Sequence, residues 1–192
     1  ASNVSARELT LSTPWTSALQ ISPLFRYSQA SIFGEGSVPA YRGMGYGAEL
    51  DYTVGTQELS MGPYFSYVMN NLKNTASNGV QAETLEGSTG TLGLKVYTSF
   101  TYLKIGLGQT KIKDKATGTV NNTKQYKSNG LELGGGINFV FSDTVSAGLG
   151  LDFSYYKIDA NANNISNRLD YLGYGIGMSV RFSIPSISPK DR

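Results

Sequence analysis

The sequence contains no cysteine and no histidine among its 192 residues. Without cysteine, the chain has no disulfide staples, no thiolate zinc sites and no cysteine nucleophiles. Without histidine, it has no Ser–His–Asp triad, no imidazole metal ligand and no side chain whose ordinary pKa lies near neutral pH. These two absences remove most of the common catalytic and metal-binding constellations.

Long apolar runs and strong charge are also missing. No unbroken apolar run exceeds a few residues, as in FVF at Phe139–Phe141, whereas a transmembrane helix needs about 20 apolar residues. Charged residues make up 16% of the chain, against about 25% in typical soluble domains. The formal net charge of +2 gives no preference for a nucleic-acid partner, and none is expected.

Glycine and tyrosine are abundant instead, with 23 and 13 copies. Apolar or aromatic residues alternate with glycine, serine and single charges, which is the period of a β-strand that has one apolar face. Strands of roughly nine to eleven residues are long enough to cross a bilayer when tilted. The pattern predicts eight such strands, near residues 19–27, 44–54, 59–69, 91–96, 103–108, 130–141, 145–156 and 172–182.

The predicted connections alternate between short and long. Short ones lie near residues 55–57, 98–100 and 142–144, and long polar ones near residues 30–41, 71–87, 113–127 and 157–168. This alternation is typical of outer-membrane barrels. We therefore predict an all-β fold, an eight-stranded antiparallel up-and-down transmembrane β-barrel with short periplasmic turns and four long extracellular loops. Residues 1–18 would form a periplasmic segment, residues 19–182 the barrel and residues 183–192 a periplasmic tail or linker.

Glycine indicates which face of the predicted barrel meets lipid. A water-exposed face would favour large polar side chains, whereas the crowded interior of a narrow barrel accommodates glycine. The apolar face also carries aromatic residues towards both strand ends, as in two aromatic girdles. These are Phe25, Tyr27, Tyr46, Tyr67 and Tyr155 near the long loops, and Tyr52, Phe139, Phe141 and Phe182 near the turns. We therefore expect the apolar face to contact lipid.

The predicted lumen contains equal numbers of cations and anions. The cations are Arg26, Lys95, Lys104 and Arg181, and the anions are Glu49, Asp51, Glu132 and Asp152. An unpaired charge in a lumen screened from water would cost several kcal/mol. We therefore expect these eight side chains to form an ion-pair network that fills the barrel, so that it has no large steady pore.

Glu49 and Asp51 also admit two other readings, because they point the same way on one strand. A glycosidase pair needs an open cleft between its carboxylates, which adjacent positions in a narrow barrel do not offer. A divalent-cation site that adds Asp152 would lack the ligand spacing of a calcium loop. We assign no catalytic residue, no metal ligand and no cofactor.

The third long loop, KIKDKATGTVNNTKQYK, carries five lysines and a single acid. Such a cluster points to an anionic partner, either lipopolysaccharide phosphates or an acidic polymer outside the cell. An ordinary solvated loop would carry the same residues, so both readings stay open. The lysines are Lys111, Lys113, Lys115, Lys124 and Lys127.

The last predicted strand reads GIGMSVRF and supplies the most specific motif. Gly177, Val180 and Phe182 match the Gly-x-x-apolar-x-aromatic ending of small outer-membrane barrels. With the eight-strand pattern, the sequence resembles this family, which includes the transmembrane domain of outer-membrane protein A and the OmpX, opacity and Ail-type surface proteins. The resemblance implies that these three residues are read by the barrel-assembly machinery. Barrel-only members usually stop at the aromatic residue, whereas this chain continues with SIPSISPKDR.

The resemblance also implies a function and a location. We expect a mature, monomeric, non-enzymatic barrel in the bacterial outer membrane, surrounded by lipid and lipopolysaccharide. It would act as an envelope scaffold and present its loops to a surface ligand, in adhesion or envelope integrity. The alternative is a small channel or carrier for small hydrophobic molecules, as in OmpW-like barrels, which requires an apolar lumen or a lateral opening. The known barrel enzymes use a catalytic histidine, which is absent here, although a tyrosine- or glutamate-based activity stays open.

Overall fold

A computed structural model of the chain describes residues 16–33, 40–56, 58–74, 84–115, 123–142, 144–158 and 169–185. These residues form eight β-strands. The strands are β1 Thr16–Phe33, β2 Ala40–Gly55, β3 Leu59–Asn74, β4 Thr84–Thr98, β5 Thr101–Lys115, β6 Thr123–Val140, β7 Val145–Ile158 and β8 Leu169–Pro185. Within these ranges, no helix has the length and apolar character to span a membrane.

The eight strands close into one barrel in chain order, and every neighbouring pair is antiparallel. Strand β1 completes the ring by pairing with β8, from Ala18 opposite Pro185 to Phe33 opposite Asp170. Closure leaves no strand edge exposed. The prediction of an eight-stranded antiparallel barrel is confirmed.

The strands extend further towards the long connections than the sequence predicted. Strand β5 continues to Lys115 and β6 begins at Thr123, so that residues 116–122 are all that lies between them. The other long connections likewise shrink to residues 34–39, 75–83 and 159–168, which lie outside the described part of the chain. The expected loop boundaries were therefore wrong.

The strands are longer because the alternation of apolar and polar residues continues towards the long connections, but with the two faces exchanged. Along most of each strand, the outward side chains are apolar and the inward ones are glycine or polar. Towards the long connections, the outward side chains become polar. We term the first part the membrane zone and the second part the rim zone. The outward residues on either side of the boundary are Tyr27 and Gln29, Met44 and Arg42, Met69 and Asn71, Leu92 and Ser88, Leu107 and Gln109, Leu131 and Asn129, Tyr155 and Lys157, and Leu172 and Asp170.

Inside the rim zone, buried apolar side chains form one cluster, which we term the rim core. Its members come from all eight strands, and the sequence analysis, which expected glycine, serine and charges in the lumen, did not identify it. The rim core consists of Ala30, Tyr41, Leu72, Leu85, Ile112, Tyr126, Tyr156, Ile158 and Tyr171. The loop end of the lumen is therefore packed as the core of a soluble protein is packed.

Glycine in the membrane zone makes room for the large side chains that cross the lumen. A Cβ on Gly134 would lie 2.3 Å from Asp152 Oδ1 and 2.6 Å from Lys104 Cε. A Cβ on Gly106 would lie 2.5 Å from the Tyr64 hydroxyl. Such distances are far below van der Waals contact, so these positions need glycine for close approach.

Candidate functional site

The structure places all eight predicted lumen charges on inward positions of the barrel. Six of them are buried, namely Glu49, Asp51, Lys95, Lys104, Glu132 and Arg181. The side chains of Arg26 and Asp152 retain 11% and 14% exposure. Because successive residues of a strand point to opposite faces, the period-2 pattern alone brings these charges into one lumen from different strands.

Lys104 on β5 is the centre of the network. Its Nζ lies 2.9 Å from Asp152 Oδ1, 3.0 Å from Glu132 Oε1 and 3.6 Å from Glu49 Oε2. The hydroxyl of Thr91 donates a hydrogen bond of 3.0 Å to the other carboxylate oxygen of Glu132. One buried ammonium group therefore serves three carboxylates from three strands.

Lys95 on β4 extends the network towards the turn end of the barrel. Its Nζ donates to Glu49 Oε1 and lies 3.8 Å from Asp51 Oδ2. Glu49 thereby joins Lys95 to Lys104, and Arg26 joins at Asp152 through an ion pair of 3.4 Å. Seven of the eight predicted charges belong to this connected set.

Arg181 is the exception, because its described contacts are with neutral groups. Its guanidinium carbon lies 4.2 Å from the centroid of the Tyr97 ring, and its Nη1 donates to Asn138 Oδ1 at 3.2 Å. The Tyr97 hydroxyl in turn donates to Asp51 Oδ2 at 2.9 Å. Arg181 therefore contacts the network through an aromatic ring, a cation–π contact that adds attraction in a desolvated site.

Sequence reasoning missed the aromatic members of the site. Lys95 Nζ lies 4.8 Å from the Tyr97 ring centroid and 4.6 Å from that of Tyr102, while Lys104 Nζ lies 5.7 Å from that of Tyr64. A signal was present, since Tyr97 and Tyr102 stand two residues from Lys95 and Lys104 and therefore share their inward face.

Chemically, this arrangement neutralises charge and fills space. The predicted carboxylate pair, Glu49 and Asp51, shares Lys95 between its two members, and no open cleft separates them. The lumen around Arg26, Glu132 and Asp152 contains cavities of about 20 Å³ and about 10 Å³. Cavities of this size hold about one water molecule each.

The five predicted lysines lie on strands and not in a loop, which corrects their expected setting. Lys111 and Lys113 on β5 and Lys127 on β6 are exposed on the outer face, whereas the adjacent Ile112 and Tyr126 are buried in the lumen. Lys111 lies directly opposite Lys127. At the ends of the same two strands, Lys115 lies opposite Thr123 and Lys124 lies opposite Asp114.

The residues of the predicted assembly signal lie near the turn end of β8. Val180 and Phe182 are exposed on the outer face, whereas Gly177 faces the lumen beside Arg26. Strand β8 continues past Phe182 to Pro185. The role of these residues in assembly stays a prediction.

Comparison with solved structures yields bacterial outer-membrane barrels. Ail, the attachment invasion locus protein of Yersinia pestis, is 16% identical, and the match covers 85% of this chain and 98% of Ail with a TM-score of 0.50. The outer membrane protein AlkL, determined in DMPC bilayers, is 10% identical over 91% of each chain, with a TM-score of 0.50. Neisserial surface protein A is 13% identical over 84% of this chain and 96% of its own, with a TM-score of 0.47.

No protein-family model matches the sequence, and no curated protein matches it. The structural likeness therefore shows the fold: this chain forms a closed eight-stranded barrel similar to those of Ail and AlkL. Ail-type proteins, which the sequence resembles, are among these structural neighbours.

Proposed function

We propose that this chain is a non-enzymatic barrel of the bacterial outer membrane, which acts as an envelope scaffold and presents the four connections of the rim zone outside the cell. One observation carries the proposal: two successive layers of side chains close the lumen. Towards the turns lies the charged network around Lys104, and beyond it lies the rim core.

The outer wall supports insertion in a bilayer. Large apolar side chains of the membrane zone are exposed around the barrel, including Leu92 at 65% and Leu107 at 74%. An exposed apolar surface of this extent is unfavourable in water and matches the lipid-facing band of an outer-membrane barrel. Eight of the nine aromatic residues expected in the two girdles are exposed on strands of this wall, and the ninth, Phe141, is exposed in the turn after β6.

The two layers favour a scaffold over a channel or carrier. A carrier for hydrophobic molecules needs apolar space inside the barrel or a lateral opening. The apolar part of this lumen is filled by its own side chains, such as Leu85 and Ile112, each 2% exposed, and the eight strands pair around the whole barrel. An ion channel needs a continuous aqueous path. Lys104 and its three carboxylates lie across that path.

The proposed partners are those of an outer-membrane barrel. Lipid and lipopolysaccharide would surround the membrane zone, and the assembly machinery would read Gly177, Val180 and Phe182. The protein would act as a monomer. Ail, whose name describes attachment and invasion, is the model for a role in which the rim connections meet a surface ligand.

Planar-bilayer recording of the refolded protein tests the closed lumen. We expect no steady large conductance, and a stable open pore would contradict the proposal. As a control, a sample of the same preparation must retain β-sheet circular dichroism and heat-dependent gel migration. An absence of conductance then cannot be attributed to misfolding. Turnover of radiolabelled lipid by purified protein tests the non-enzymatic part, for which we expect no product.

A further inference from the structure

The apolar band on the outer wall is not equally wide around the barrel. On β8 it runs from Leu172 to Ile184 and comprises seven outward apolar side chains, all of them exposed. On β4, which lies across the ring from β8, and on its neighbour β5, the outer face carries only three such side chains each. These six are Leu92, Leu94 and Val96 on β4, and Leu103, Ile105 and Leu107 on β5.

The difference in width is large compared with a bilayer. Four residue steps separate Leu103 from Leu107, and twelve separate Leu172 from Ile184. At about 3.4 Å per residue and a strand tilt of about 40°, these steps correspond to bands of about 10 Å and about 31 Å along the membrane normal. A hydrocarbon core of about 30 Å therefore matches the band on β8 and exceeds the band on β5.

The band is narrow on β4 and β5 because non-apolar positions there come closer to the turns. The outermost apolar residue on β3 is Met69, which lies opposite Ser88, whereas on β4 it is Leu92, four residues further towards the turn. Strand tilt alone shifts a level boundary by about one residue between neighbouring strands. Gly90 on β4 pairs with Gln109 on β5, so neither strand presents an apolar side chain in this row.

On the turn side, the narrow band ends at the hairpin between β4 and β5. The hydroxyl oxygens of Thr98 and Thr101 lie within hydrogen-bond distance of each other, at 2.9 Å, and Phe100 is 74% exposed in the turn between them. An exposed aromatic ring beside the apolar band is typical of the interfacial girdle of an outer-membrane barrel. Phe100 therefore marks the membrane surface only three residues from Leu103.

A rigid tilt of the barrel cannot compensate for this difference. Tilting moves both ends of the band on a given strand in the same direction and leaves the width of the band unchanged. If the bilayer kept its full thickness beside β5, the amide of Gln109 would lie in hydrocarbon, where a polar group without water is unfavourable. A bilayer accommodates a short apolar surface by thinning next to it.

We propose that this barrel thins the outer membrane on one side, beside β4 and β5, while the bilayer keeps its full thickness beside β8. The proposal rests on the membrane location proposed above. It concerns the shape of the bilayer and requires no bound lipid molecule. Water and headgroups would come closest to the bilayer midplane at the narrow face.

Spin labels on the full chain in dioleoylphosphatidylcholine vesicles measure the two bands. Because the sequence contains no cysteine, single cysteines at successive outward positions of β5 and β8 carry the label without background. The accessibility of each label to oxygen and to a nickel chelate gives its depth. We expect hydrocarbon over about 10 Å of β5 and about 30 Å of β8, with Gln109→Cys accessible to nickel and Ile176→Cys inaccessible. Bands of equal width would overturn the proposal.

Widening the narrow band should restore the bilayer beside it. Gly90→Leu combined with Gln109→Leu adds one apolar row, and a Cβ on Gly90 has room, since its nearest neighbour would be Tyr67 Cδ2 at 3.8 Å. The hydrocarbon boundary should move by two residues, so that a label at Leu107→Cys lies about 5 Å deeper. An unchanged depth would contradict the proposal.

The matched control is Ser31→Leu combined with Asn71→Leu, which replaces one small residue and one amide on the rim-zone outer face of β1 and β3, where the apolar bands are wider. The label at Leu107→Cys should keep its depth in this variant, and an equal shift would count against a local effect. Heat-dependent gel migration verifies that each variant is folded. If the labels on β8 also lie outside hydrocarbon, the proposed membrane location itself fails, which distinguishes the two failures.

Discussion

Strand β5 shows the difference between the two zones within a few residues. In the membrane zone, Leu107 is exposed to the outside and Lys104 is buried in the lumen. In the rim zone of the same strand, Lys111 is exposed and Ile112 is buried. The backbone continues without interruption, and only the side of the strand that carries the apolar residues changes.

This comparison separates what the fold requires from what the solvent requires. Strand pairing proceeds equally well in both zones, because ladder hydrogen bonds do not depend on which face is apolar. The surroundings determine the outward side chains. Leucine is favourable where the membrane zone faces lipid, and lysine is favourable where the rim zone faces water. The lumen must then be stabilised by ion pairs in one zone and by apolar packing in the other.

The largest expected effect comes from removing the centre of the charged lumen. Lys104→Met leaves Glu49, Glu132 and Asp152 without their shared cation and should lower the free energy of unfolding in detergent by about 3–5 kcal/mol. The control is Lys111→Met, the same change on the outer face of the same strand, which should shift it by less than about 0.5 kcal/mol. Urea titrations would measure both, and equal effects would contradict the importance of the network.

Removing the acids in place of the central cation should have a smaller effect. Glu49→Gln combined with Asp51→Asn leaves Lys95 without a carboxylate partner, whereas Lys104 keeps two. We therefore expect the free energy of unfolding to fall by about 3 kcal/mol. The unfolding temperature in detergent should fall accordingly. An unchanged temperature would show that these acids are not held by ion pairs.

The rim core can be compared with the lipid-facing wall on one strand. Leu85→Ala opens a cavity in the rim core and should cost about 2–3 kcal/mol. Leu92→Ala on the outer face of β4 should cost less, because detergent or lipid fills the space that the side chain vacates. Thermal unfolding of the two variants measures the difference, and a larger loss at Leu92 would argue against a packed rim core.

The smallest effect is expected on the outside of the rim. Lys73 lies opposite Arg42, so Lys73→Gln removes a like-charge contact and should leave the free energy of unfolding within about 0.5 kcal/mol of wild type or slightly higher. Urea unfolding at low and high salt measures it. A clear destabilisation would mean that Lys73 has a stabilising partner.

The barrel was predictable because its signal repeats along every strand. Alternation in stretches such as MGYGAELDYTV, from Met44 to Val54, fixed the faces, and the alternation of connection lengths fixed the topology. The eight lumen charges followed, since their inward positions depend only on the period of two. What the pattern could not give was the pairing, because the choice of Lys104 as the centre depends on three-dimensional distances across the lumen.

The rim zone escaped prediction for a related reason. In stretches such as Asn71-Leu72-Lys73 and Gln125-Tyr126-Lys127, apolar and polar residues still alternate. Their apolar residues lie on the inward face, however, so a search for strands with an apolar outward face interprets these stretches as loops. The five lysines were assigned to a loop by the same error.

The position of the boundary between the zones also sets the bilayer thickness that the barrel matches. On β6, the outward apolar residues run from Leu131 to Phe139, which at about 3.4 Å per residue and a tilt of about 40° spans roughly 20 Å along the membrane normal. A thicker bilayer would bring its hydrocarbon against Asn129 and Lys127, and a thinner one would leave leucine in water. The barrel should therefore insert preferentially into thin membranes, and lipids of increasing chain length should slow its folding.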